Sequence, residues 1–227
     1  MNKKKIFTLA LVAIMLAILS FSTLAWFSDA DSVTNEFMIA NSEEKPDKIF
    51  SVELFEKVDD NGDHHDYTDK GKVYKDILPG DDLYKEPIVK NTGSYDQYIR
   101  VKVTATDAKA WAEMLRKYKI NDLATIFEGF NEDLWERVDE PAWDRKHNTV
   151  TYVFYLEQPL EPGKTVSLFT NVVIPFQLTQ NDLAEVDGSF QLHIVAEAVQ
   201  TENVGDNAVE AFATVEASGQ PIDQIKK

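Results

Sequence analysis

The sequence predicts an all-β protein: an antiparallel β-sandwich of the jelly-roll or Greek-key type with a short helical insertion. Segments in which apolar and polar residues alternate recur along the chain, and turn signals such as Asn-Gly and Pro-Gly separate them. One internal region, at about residues 107–128, has the periodicity of helices. A hydrophobic content of 44% in 227 residues is enough to fill the core of one domain.

The first 25 residues have the pattern of a secretory signal peptide. Three lysines at positions 3–5 precede an apolar run of 16 residues at positions 6–21, and small residues lead up to Ala25. A helix of that length spans about 24 Å, which is less than a bilayer core of about 30 Å. We expect a signal peptidase to cut between Ala25 and Trp26. The alternative is an uncleaved membrane anchor, and in both cases the rest of the chain lies outside the cytoplasm.

Residues 26–41 follow as a predicted strand with one apolar face, and a Pro-containing linker at 43–47 joins them to the body. An apolar strand on such a linker can complete the sheet of a neighbouring copy, and a head-to-tail contact of this kind propagates into a fibre. The alternative is that 33–39 packs into its own sandwich. The residues expected to make the strand-donation interface are Trp26, Phe27, Val33, Phe37 and Ile39.

The body, residues 42–200, contains the remaining predicted strands. A half-buried strand begins near Phe50, and Pro87 predicts an edge position for the strand at 83–90, because proline cannot donate to a ladder. That edge is a plausible acceptor for a donated strand. The most regular alternation predicts the remaining main strands, at 99–105, 150–156, 166–176 and 190–198.

Two segments of the chain depart from the strand pattern. In the helical insertion, Asp107 can cap a helix that places Trp111 on its apolar face. The tryptophans at positions 111, 135 and 143 are interpreted as packing residues in preference to a recognition surface. From residue 201 to 227, the composition predicts a polar, partly disordered tail.

Several short blocks resemble the TasA/camelysin family of exported proteins from Gram-positive bacteria. They are Ala-Trp-Phe-Ser-Asp at 25–29, Asn-Glu-Phe at 35–37, Leu-Pro-Gly-Asp at 78–81, Asn-Thr-Gly at 91–93 and Ile-Arg-Val at 99–101. Asn41 departs from the pattern, since a glycine is usual there. The resemblance implies a jelly-roll-like sandwich, a dedicated signal peptidase, and a role as subunit or accessory of an extracellular biofilm-matrix fibre. The corresponding positions are Asn35, Gly80, Asn91, Gly93 and Arg100.

Composition and motifs favour a structural role over catalysis. The chain has no cysteine, and its four histidines lack the spacing of a zinc-protease helix. We therefore expect no enzyme; the alternatives left open are a camelysin-like secreted metalloendopeptidase and a monomeric surface adhesin. No cofactor is expected beyond calcium, for which Asp59, Asn61 and Asp63 alternate as calcium-loop ligands do.

The charge of the chain limits its partners. Removal of residues 1–25 takes away three lysines and no acidic residue, which changes the net charge from −16 to −19. Such a surface repels phosphate backbones, so nucleic acid is excluded as a partner. The expected partners are further copies of the chain or other matrix proteins, in the extracellular matrix or at the cell surface.

Overall fold

The computed structural model describes residues 28–32, 51–57, 67–68, 74, 76–120, 122–185 and 191–219. This part of the chain is mostly β, with antiparallel sheets and few helices, as the sequence predicts. The strands are β1 (Ser28–Ser32), β2 (Val52–Lys57), β3 (Tyr67–Thr68), β4 (Asp82–Tyr84), β5 (Pro87–Asn91), β6 (Gln97–Ala105), β7 (Phe127–Glu128), β8 (Trp135–Arg137), β9 (Ala142–Asp144), β10 (Thr149–Leu156), β11 (Thr165–Ser167), β12 (Asn171–Val173) and β13 (Leu192–Gln200).

Helices occupy three places in the described residues. They are α1 (Ala108–Lys117), followed by a 3₁₀ helix (Leu123–Ile126), then α2 (Gln180–Glu185) and α3 (Ala208–Ala217). Among these described helices, none has the length and apolar character that a bilayer crossing needs.

The largest sheet has the strand order β1-β13-β6-β10-β8, and β9 also pairs with β10. All of its pairings are antiparallel. Along β6, Ile99, Val101 and Val103 are fully buried on one face, because successive side chains of a strand point to opposite faces. This alternation is why the sequence pattern identifies β6, β10 and β13 so well.

The remaining strands form two smaller sheets, which have the strand orders β11-β5-β2-β3 and β4-β12-β7. Backbone hydrogen bonds join them: the N–H of Lys85 donates to Thr170 (2.9 Å), and the N–H of Leu168 donates to Pro87 (3.1 Å). The segments 80–91 and 163–174 therefore run side by side, with an interruption at Lys85 and Glu86.

The expected edge position of Pro87 is wrong. Its strand, β5, lies between β11 and β2. Proline is tolerated there because Pro87 is the first residue of β5, next to the interruption in the ladder, where a missing N–H costs little.

One hydrophobic cluster draws buried residues from both groups of strands. It includes Val89 of β5, Val101 of β6 and Phe154 of β10, and Phe127 stacks on Phe169 with ring centroids 4.9 Å apart. Helix α1 contacts β10 and adds buried side chains that include Trp111. Burial of this apolar surface at about 25 cal/mol per Å² is the main force that holds the strands together.

The start of α1 is capped differently from the expectation. Asp107 occupies the N-cap position with φ of 50°, and its side chain makes no capping hydrogen bond. Asn148, from the turn before β10, supplies the acceptors instead: its carbonyl accepts from Ala108 N–H and its side chain from Lys109 N–H, both at 3.1 Å. A residue distant in sequence therefore satisfies the first N–H groups of the helix.

The segment expected to be a polar tail contains a packed helix up to residue 217. In α3, Ala208, Ala211, Phe212 and Val215 are buried at the spacing of one helical face. These four side chains of α3 cover the face of the large sheet that points away from the main core. Residues 220–227 lie outside the described part of the chain.

Candidate functional site

Strand β1 forms one edge of the large sheet. It pairs with β13 over five positions, from Ser28 opposite Val199 to Ser32 opposite Val195. For these residues the pairing lies within one chain. The other N-terminal positions that the sequence singles out lie outside the described residues: Ala25, Trp26, Phe27, Val33, Asn35, Phe37 and Ile39.

Strand β13 is the partner that holds β1. On its other side β13 pairs with β6 over nine positions, from Leu192 opposite Ala105 to Gln200 opposite Gln97. Ile194, Ala196 and Ala198 of β13 are buried in the sheet. The longer pairing and the buried residues anchor β13 in the domain, whereas β1 occupies the outside of the sheet.

Arg100 of β6 lies directly opposite Glu197 of β13, and both side chains are buried. Its Nε donates to the Glu197 carboxylate at 2.5 Å, and one terminal nitrogen donates to Glu216 of α3 at 2.7 Å. Lys102 donates to the other oxygen of Glu197 at 2.8 Å. Arg100 thus connects two strands and a helix.

Burial and pairing have opposite effects on Arg100. Burial lowers the pKa of its guanidinium, but the attraction of Glu197 and the hydrogen bonds to Arg100 outweigh it, so the pKa is raised. The guanidinium carbon also lies 4.2 Å from the centroid of the Phe212 ring, in cation–π geometry. Because Phe212 belongs to α3, the same cation holds the helix against the sheet.

The packing under α3 is a second, smaller hydrophobic cluster. It contains Tyr98 and Val199 from the sheet, together with Val204 and the buried face of α3. Val209, which lies outside that buried face, is 41% exposed. The cluster therefore covers the outer face of β6, β13 and β10.

Asn91 connects three parts of the backbone from a fully buried position. Its side-chain nitrogen donates to the carbonyls of Tyr95 and Leu160, both at 2.7 Å, and its side-chain oxygen accepts from Gly93 N–H at 2.9 Å. Neither Asn91 nor Gly93 has a positive φ. The turn is therefore held by the hydrogen bond from Gly93 N–H to the Asn91 side chain, and it needs no unusual backbone dihedral angle at either residue.

Gly80 does require the conformational freedom of glycine. Its φ is +89°, and its N–H donates to the carbonyl of Ile174 at 2.9 Å, where β12 ends. A side chain at this position would strain the backbone. Gly80 therefore fixes the turn from which β4 starts.

Two charged residues that the sequence analysis did not single out are buried together. Lys85 donates to Glu56 at 2.5 Å, and the two residues are 7% and 0% exposed. Glu56 belongs to β2, whose sequence is of mixed polarity, and Lys85 lies in the interruption between β4 and β5, so neither position gave a sign of burial. Such a pair favours one alignment of the chain segments, because any alignment that separates the two residues leaves a buried charge unpaired.

The expected calcium ligands Asp59, Asn61 and Asp63 lie outside the described residues. Within the described ranges, no group of three or more His, Cys, Asp or Glu side chains could hold a metal ion. Of the described histidines, His193 is exposed on β13 and His147 pairs with Asp144 at 2.6 Å. Comparison of the chain with protein-family models, with curated proteins and with solved structures finds no match.

Proposed function

We propose that this chain is a secreted structural protein, the subunit or an accessory of an extracellular biofilm-matrix fibre, and that copies assemble by donation of the N-terminal strand. The observation that carries the proposal is the position of β1, which is the outermost strand on β13 and precedes the other described elements. Nineteen residues separate β1 from β2. Fully extended, they would reach about 65 Å, enough to cross to a neighbouring copy.

The proposed acceptor is the β13 edge. Backbone hydrogen bonds between β1 and β13 do not depend on which chain supplies β1, so a second copy can provide the same strand. The Pro87 strand, expected from the sequence as an acceptor, is not available because β5 is paired on both sides. Donation to β13 leaves every other described pairing unchanged.

We further propose that the domain is a jelly-roll-type sandwich of the TasA/camelysin kind, exported and trimmed after Ala25. Two observations support this. The short blocks that resemble the family include Gly80, Asn91 and Arg100, and each of these residues has a structural role described above. The shared hydrophobic cluster joins strands of the two groups, as the layers of a sandwich require. Calcium binding at Asp59, Asn61 and Asp63 stays a prediction.

Because the chain contains no cysteine, strand donation can be tested by cross-linking. Ser32 and Val195 are opposite each other in the β1–β13 register. Two variants of the mature protein, S32C and V195C, are mixed under oxidising conditions. Donation predicts disulfide-linked dimers that contain one copy of each. A cysteine at Gln191, which lies outside the register of β1, serves as the control partner for S32C and should give few dimers.

Electron microscopy provides the second measurement. Mature protein should form filaments, whereas a protein that begins at Ser42 should stay monomeric because it lacks β1. The double variant S32C/V195C, oxidised as a monomer, should not assemble until it is reduced. Mixed dimers no more abundant than those with the Gln191 control, together with filaments that form without residues 26–41, would show that the proposed mechanism is wrong.

A further inference from the structure

Two concavities of about 560 and 220 Å³ adjoin on the surface beside the 3₁₀ helix, and Ile120 and Asp122 line both. The larger extends to Phe176, in the loop after β12, and the smaller extends to Trp143 of β9. We call the combined surface, from Phe176 across Ile120 to Trp143, the aromatic groove.

Both ends of the aromatic groove are large, exposed aromatic side chains. Phe176 is 78% exposed and Trp143 is 49% exposed, whereas the tryptophans at positions 111 and 135 are buried. The interpretation of Trp143 as a packing residue is therefore wrong: β9 is at the sheet edge, and part of the indole faces solvent. Exposed aromatic residues beside a concave surface are typical of sites that bind another polypeptide.

The charges around the aromatic groove define the partner. Glu128 and Asp139 place carboxylates along it, and Lys119 is the cation among its lining residues. The remaining carboxylate, Asp122, is already paired with Arg137 at 2.6 Å. A segment rich in aspartate or glutamate would be repelled by Glu128 and Asp139. A basic segment is attracted.

The location of the aromatic groove allows binding without competition at the β1 edge. Trp143 belongs to β9, which pairs with β10, whereas β1 pairs with β13 at the opposite edge of the sheet. A partner at the aromatic groove therefore leaves the β1–β13 pairing intact. Binding at the aromatic groove does not require fibre formation.

We propose that the aromatic groove binds an extended, basic segment of a partner protein. Apolar side chains of that segment contact Trp143 and Phe176, and its lysine or arginine residues face Asp139 and Glu128. Cations held near the face of an indole ring and near carboxylates gain from both contacts. The site thus favours a positively charged segment that also carries apolar side chains.

The test uses the mature protein and a short, fluorescently labelled synthetic peptide in which lysine alternates with phenylalanine. Fluorescence anisotropy should show saturable binding that weakens with added salt. Trp143→Ala and Phe176→Ala should each weaken binding about tenfold, as the loss of one anchor residue does. Asp139→Asn should weaken it less.

Matched controls separate the aromatic groove from general charge attraction. Val209→Ala removes an exposed apolar side chain on α3, and Glu161→Gln removes an exposed carboxylate in the turn before β11; both should bind the peptide as the unchanged protein does. A peptide with glutamate in place of lysine should not bind. Circular dichroism confirms that each variant is folded.

Three outcomes would overturn the inference. The peptide could fail to bind, or it could bind the Trp143→Ala and Phe176→Ala variants as tightly as the unchanged protein, which would indicate attraction to the acidic surface alone. In the third, the two variants lose self-association while the peptide shows no binding, which would make a second copy the occupant. The cysteine cross-linking experiment is unaffected by any of these results.

Discussion

Replacement of Glu197 by glutamine tests whether the buried ion pair stabilises the domain. The Glu197 side chain is 1% exposed, and it accepts from Arg100 at 2.5 Å and from Lys102 at 2.8 Å. Loss of its charge leaves the Arg100 guanidinium, whose side chain is 4% exposed, with the half-exposed Glu216 as its remaining anionic partner among the described residues. Breaking a buried pair costs about 3–5 kcal/mol, and glutamine still accepts one hydrogen bond, so we expect about 3 kcal/mol.

Urea unfolding of the mature protein, followed by circular dichroism and tryptophan fluorescence, measures this change in the free energy of unfolding. Glu161→Gln makes the same chemical change at an exposed site and should alter stability by less than about 0.5 kcal/mol. A double variant, Arg100→Met with Glu197→Leu, removes both buried charges and should recover most of the loss. A loss below about 1 kcal/mol for Glu197→Gln would refute the argument.

Three further predictions concern other residues. Hydrogen bonds from Thr179, then from a neighbouring tyrosine, hold the pKa of Asp182 well below its usual range. The ionised Asp182 carboxylate stabilises the folded state above the unfolded pKa of about 4, and this stabilisation is lost as the pH falls toward the lower pKa of the folded state. Asp182→Asn should therefore flatten the acid side of a plot of unfolding free energy against pH. Asn91→Ala should cost about 3 kcal/mol in urea unfolding, because it leaves three backbone groups without their partner. Gly129→Ala should destabilise more than Gly163→Ala in thermal unfolding: both have φ near +75°, but an added Cβ meets a threonine oxygen at 2.1 Å only at Gly129.

The strands that face one core were predictable from sequence alone. In β10, for example, Val150, Tyr152 and Phe154 are buried and the residues between them are not, which is the pattern that alternation detects. Local alternation reports whether each residue faces apolar surroundings. It therefore identifies strands well, but it carries no information about which strands become neighbours.

The features that the sequence did not predict depend on contacts between distant segments. Arg100 and Glu197 occupy the polar positions of alternating strands, so they are expected to face solvent; α3 covers them, and its packing could not be foreseen from either strand. Pro87 suggested an edge because proline cannot donate to a ladder, and the pairing of β5 with β11 could not be foreseen because β11 lies far along the chain. Trp143 was interpreted as a packing residue because a domain of this kind needs a core, but it is exposed on β9.

The candidate assembly edge and the buried ion pair meet on one strand. Glu197 of β13 is opposite Arg100 on one side and opposite Ala30 of β1 on the other. If the pair keeps β13 in place for an incoming strand, Glu197→Gln should lower the yield of the mixed disulfide between S32C and V195C. Glu161→Gln in the same V195C background is the control, and the experiment is run without denaturant, where both remain folded. An equal yield from the two would show that pairing at the β13 edge is independent of the ion pair, because the backbone of β13 would then be held by its nine-residue pairing with β6 alone.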